Sequence, residues 1–112
     1  MSHPMRHRAH LPAAERQAIS RLHALLSRPG LLHGSLQTNR RRCGNPTCRC
    51  LRGHLHVSPL LRVVERGRQV SIHVPAIWEA RVRVWLERDR EIRRLLGQLA
   101  ALYSARLKAR KE

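Results

Sequence analysis

The sequence predicts an α+β domain: an N-terminal helix, a short strand, a Cys-rich loop, a β-hairpin and a long C-terminal helix. Three observations carry that prediction. Apolar residues recur at helical spacing at both ends of the chain, first at Ala18, Ile19, Leu22, Leu25 and Leu26 and again from Trp78 onward. Residues 59–64 and 69–74 are rich in branched side chains and flank Arg66-Gly67-Arg68, the pattern of a hairpin. The stretch between these regions, residues 40–56, holds the chain's three cysteines among Gly44, Pro46 and Gly53, which are turn formers.

Taken in order, residues 1–10 are basic, carry His3, His7 and His10 without apolar periodicity, and read as a disordered arm. Residues 11–112 form the single small domain. Its first helix, 11–28, has Pro12 in the first turn and Glu15 complementing the N-terminal dipole, and Pro29-Gly30 ends it. Residues 33–58 hold a short strand and the Cys/Arg loop. Strand alternation over residues 35–41 puts Leu36 and Thr38 on one face, with Arg40 following. In the hairpin, 59–74, Val70, Ile72 and Val74 alternate with Ser71 and His73, which gives one buried and one wet face and places His73 toward solvent.

The long helix, 76–109, follows Pro75. Its apolar positions Trp78, Val82, Trp85, Ile92, Leu96, Leu99 and Tyr103 step by fours and threes, with Asp89 standing where one apolar residue is missing. That is a heptad-like seam, broadened by Leu86, Leu95 and Leu102. Two arrangements would cover it: a second copy of the chain, which is the expectation adopted here, or the first helix folded back over it. Glu87 with Arg90 and Glu91 with Arg94 are spaced as surface ion pairs.

The 23 Lys and Arg residues against 7 Asp and Glu give a formal net charge of +16, and most of the cations are arginine. A guanidinium grips phosphate bidentately, so the composition points to a polyanion and first to nucleic acid. A solvated basic face without a dedicated ligand is the plain alternative. No run of about 18 apolar residues spans a membrane, and no signal-peptide pattern opens the chain. Three cysteines cannot all pair within one chain, so the expected compartment is the reducing cytoplasm.

Cys43, Cys48 and Cys50 give the spacing C-x4-C-x-C, with His54 and His56 just beyond. Three thiolates and one imidazole make a chemically sensible tetrahedral Zn2+ site, one ion per chain, provided that Arg49 sits in a turn so that both flanking thiols face the metal. Two other uses of the cysteines stand beside it: small reduced side chains packed in a tight loop, or a thiol activated by Arg42, Arg49 and Arg52. Catalytic constellations are missing, with no paired-carboxylate site, phosphate loop or nucleophile elbow. The arginines that enter and line the loop, Arg40, Arg41, Arg42, Arg49 and Arg52, are the candidate nucleic-acid contacts. With no aromatic nearby to stack on bases, backbone contact to a duplex is the expected mode.

The run Gly34-Ser35-Leu36, then Cys43-Gly44-Asn45-Pro46-Thr47-Cys48-Arg49-Cys50, then Gly53 and His56, then Val74-Pro75 before a long charged helix, resembles a family of short bacterial proteins and domains of unknown function. The resemblance covers about residues 32–107. Its members usually carry lysine at the place of Asn45, a single glycine at the place of Val57-Ser58 and tyrosines at the places of Leu60 and Leu61. The resemblance implies that His56, rather than His54, accompanies the cysteines. It implies no activity. Two functions therefore stand: a nucleic-acid-binding accessory module built on the loop, and a protein-interaction or dimerisation module built on the long helix with incidental charge.

Overall fold

The computed structural model describes residues 11–41, 47, 53 and 56–110, with Arg41 and His56 described by their backbone alone. The chain runs through helix α1 (Ala13–Leu26), strands β1 (Ser35–Arg41), β2 (His56–Glu65) and β3 (Arg68–His73), a single 3-10 turn (Ala76–Trp78) and helix α2 (Glu79–Ala109). This is the predicted α+β order. The predicted basic arm at residues 1–10 lies outside the described residues.

Contacts divide the chain into two compact units, Leu31–Glu87 and a second made of residues 1–30 with Arg88–Glu112. Each has its own core. In the sheet unit Leu61, Val63, Val74, Val82 and Leu86 are buried together, edged by Leu32, Leu36, Val70 and Trp85. In the helical unit Ala18, Leu22 and Leu25 of α1 bury against Ile92 and Leu95 of α2, with Leu99 alongside. Thus α1 covers part of the stripe expected to meet a second copy.

α1 begins one step later than its first-turn proline suggests. Pro12 is the N-cap, with φ −54° and ψ 151°, and its carbonyl accepts from the Arg16 N–H at 2.9 Å. At the other end Ser27 caps by donating from Oγ to the Ala24 carbonyl at 2.8 Å. The chain then turns at Gly30, where φ is +96°. Arg88 donates to the Pro29 carbonyl at 2.6 Å and also to that of Gly30, satisfying two acceptors that no helix serves.

Glu15 is fully buried in the helical unit. Its Oε2 accepts from the Tyr103 hydroxyl at 3.0 Å, and its Oε1 forms an ion pair with Arg106, off the line of a guanidinium N–H. The Arg106 guanidinium also lies 4.9 Å from the centre of the Tyr103 ring. A carboxylate without these partners would not remain buried. Sequence spacing assigns Glu15 only to the helix dipole; its partner residues are 88 and 91 positions away, beyond any local pattern.

The buried line of α2 differs from the heptad seam. Val82, Leu86, Asp89, Ile92 and Leu95 are buried, whereas Trp78, Leu96 and Tyr103 of the seam are about half exposed. A straight helix drifts by roughly 20° per heptad against a 3.5-residue repeat, so a strict heptad line leaves the buried face toward both ends. Leu86 and Leu95, which looked like flanks of the seam, lie on the packed face. Asp89 sits on the same line, only 6% exposed, and accepts from Arg93 Nε at 3.1 Å.

The sheet is antiparallel with order β1-β2-β3. Arg66 and Gly67 make the two-residue turn between β2 and β3, both with positive φ (51° and 78°), the backbone that matches the strand twist. β2 starts at His56, three residues before the expected Pro59, and the added residues pair with β1. Proline in a central strand would ordinarily break a ladder. Here its carbonyl accepts from Val74 N–H at 3.1 Å, and the donor it lacks would face Val74, already past the end of β3.

Gly34 fixes where β1 enters. A Cβ at this position would collide with the Arg62 carbonyl oxygen and stand 2.9 Å from Val63 Cγ1. Gly34→Ala is expected to cost about 1–3 kcal/mol, the usual range for overpacking against an immobile neighbour. Urea denaturation monitored by far-UV circular dichroism should show the midpoint falling at unchanged slope.

Candidate nucleic-acid interface

The site is built where β1 ends and β2 begins. Arg40 pairs with Val57 and Arg41 with His56, so the strand ends that flank residues 42–55 are held side by side. That pairing puts the backbone of His56 opposite a residue only two positions from Cys43 in sequence. Of the predicted contacts, Arg40 is exposed and shares its strand face with Leu36 and Thr38, as the alternation requires. Arg42, Arg49 and Arg52, and the expected metal ligands Cys43, Cys48 and Cys50, lie outside the described residues, as does the side chain of His56. Among the described residues no group of three or more His, Cys, Asp or Glu stands ready to hold a metal. Gly53 has φ +91° and Thr47 is exposed.

The register defines a second set of residues that one-dimensional reading missed. Leu36, Leu61 and Ile72 are cross-strand partners and share one face, on which Leu61 and Val63 are buried. The opposite face therefore carries Ser35, Arg62 and Ser71 in one row, Gln37, Leu60 and His73 in the next, and Asn39 with Ser58 in a third. These are mostly hydrogen-bonding side chains at strand spacing. The signal was present in the other parity of residues 35–39, but it needs the pairing to β2 before it becomes a surface.

Arginines elsewhere are largely engaged. Arg83 pairs with Glu79 at 2.9 Å, Arg93 with Asp89 at 3.1 Å, and Arg94 with Glu91 at 2.9 Å. The hydrogen bond from Arg94, helped by Arg21, holds the Glu91 carboxyl below its ordinary pKa. By contrast, no carboxylate pairs with Arg40 or Arg62 among the described residues, and Arg62 Nε is buried without an acceptor. Residues 16–64 contain no Asp or Glu at all. Residues 16–64 thus hold cations and neutral polar groups with no acid among them, the charge pattern that a phosphate backbone selects, and Glu65 at the far end of β2 is the only acid in the three strands.

No helix among the described residues is long and apolar enough to cross a membrane. The family described as Domain of unknown function (DUF6788) matches residues 12–84. That span takes in α1, the loop, the whole sheet and the first turns of α2. No curated protein and no solved structure matches the chain.

Proposed function

The chain belongs to the DUF6788 family, a domain of unknown function, and on that premise we propose that it is a cytoplasmic, bacterial nucleic-acid-binding accessory module directed at the backbone of a duplex. The observation that carries this reading is the acid-free run of residues 16–64 in a chain of net charge +16. Arg40, Arg41, Arg42, Arg49 and Arg52 supply the phosphate contacts, and neutral polar residues of β1 and β2 supply hydrogen bonds. Aromatic residues are absent from this region, so contacts to phosphate and sugar carry the affinity and sequence preference is weak. The logarithm of duplex affinity should fall linearly with the logarithm of salt concentration. Replacing Arg41, Arg42 and Arg49 together by alanine should lower that slope by about 2–3, near 0.9 for each phosphate no longer neutralised. Fluorescence anisotropy of a labelled duplex across a salt series measures it, and an unchanged slope excludes the loop as the binding surface.

Zn2+ held by Cys43, Cys48, Cys50 and His56 would keep the loop in one conformation and lessen the entropy lost when phosphate binds. The paired backbones of Arg41 and His56 support this ligand set, because they bring the loop's two ends together. The donor chemistry fits a structural ion, and the arginines keep the phosphate contacts. Elemental analysis of protein purified without a histidine tag should find about one zinc per chain, lost in Cys48→Ser. Folded protein free of metal would refute the site.

A second reading, association of two copies through α2, is favoured by a specific observation. Leu96, Tyr103 and Leu107 remain 51%, 54% and 78% exposed at helical spacing even though α1 covers Ile92 and Leu95. If this stripe pairs, sedimentation equilibrium should give a dimer that Leu96→Glu converts to monomer. A wild-type monomer at high concentration removes the reading.

A further inference from the structure

β3 is an edge strand, and the phase of its hydrogen bonds can be worked out. The Val74 N–H donates to Pro59 across the pair with β2. In an antiparallel ladder alternate residues bond to the same neighbour, so Ile72 and Val70 also face β2. Gln69, Ser71 and His73 therefore turn their N–H and C=O groups to the open side, where no backbone partner meets them among the described residues. Natural sheets usually blunt such an edge with proline, a lysine or a bulge. Residues 69–73 carry none of these.

Beside this edge lies a cavity of about 260 Å³, walled by Leu61, Ile72, Val74, Pro75, Trp78 and Val82. It is smaller than the roughly 300–1,000 Å³ of small-molecule sites and suits one large side chain. His73 is the one polar residue in its lining. A nucleobase placed there would lose the hydration of its ring edge without recovering hydrogen bonds, whereas an aliphatic side chain would lose nothing. Trp78, which lines the cavity, is 41% exposed, and the Arg81 guanidinium lies 4.9 Å from the centre of its ring.

We infer that the edge of β3 and the adjoining cavity form a docking site for an extended segment of an acidic partner protein, which adds a strand to the sheet and sets one large aliphatic side chain between Ile72 and Trp78. Backbone hydrogen bonds from Ser71 and His73 supply sequence-independent affinity, the cavity selects the anchor, and Arg81 favours carboxylates beside it. The net charge of +16 favours an acidic segment over a neutral or basic one as the occupant.

The full chain is titrated with fluorescein-labelled nine-residue peptides that have acidic ends, a β-branched body and Leu, Ile, Met or Ala at the centre. Anisotropy should show the aliphatic-centred peptides binding at least tenfold more tightly than the Ala-centred one. Ser71→Pro removes an outward N–H and leaves the ladder to β2 intact, and it should weaken binding at least tenfold while duplex binding persists. Should Ser71→Pro melt early, Ile72→Asp on the exposed cavity wall serves in its place and should cost the same factor. Equal binding of all the peptides would reduce the effect to charge and overturn the inference, as would full binding by both variants. A wild-type dimer that Ser71→Pro dissociates would overturn it too, by assigning the edge to a second copy.

Discussion

Leu86 and Ile92 lie on one helix six residues apart, and each closes a different core. Leu86 buries with Leu61, Val63, Val74 and Val82 under the sheet, and Ile92 buries with Ala18, Leu22, Leu25 and Leu95 against α1. The chain has no phenylalanine, so both cores are made of aliphatic side chains. Such small cores leave little margin, and each α2 residue that contributes to them matters accordingly. The aromatic residues serve the margins instead. Trp78 and Trp85 meet edge to face, with ring centres 6.1 Å apart, and Tyr103 hydrogen-bonds the buried Glu15.

The same helix also distributes charge. Glu79, Asp89 and Glu91 each hold an arginine of α2, and Glu15 of α1 holds Arg106. The exposed pairs among these, Arg83 with Glu79 and Arg94 with Glu91, add at most a few tenths of a kcal/mol to stability. Their larger effect is on the electrostatic field. Five of the seven acids lie on the helices, and residues 16–64 hold none. On the proposed reading, a phosphate chain is drawn to that acid-free stretch rather than to the ion-paired helices.

The sheet has three surfaces with different chemistry. One face is buried on α2, the other carries polar residues and Arg62, and the β3 edge presents unpaired backbone beside an apolar cavity. Their separation follows from strand alternation together with Pro59, whose carbonyl bond to Val74 sets the phase of the β2–β3 ladder. A polyanion on the polar face and an extended peptide on the edge would thus use different atoms of the same three strands.

By itself the sequence determined the elements and their order, because those depend on local chemistry: Pro12 and Pro75 ahead of the helices, Arg66-Gly67 at the turn, and apolar periods of two and of three to four. It also determined the excess of arginine and the grouping of cysteines, which are matters of composition. Tertiary structure decided what depends on partners far apart in the chain. The burial of Glu15 required Tyr103 and Arg106, the tight entry at Gly34 required the backbone of Arg62, and the polar sheet face appeared only once β1 was set against β2. The packed line of α2 belongs to the same class: Leu86 and Leu95 are buried, whereas Leu96 and Tyr103 of the heptad seam are about half exposed.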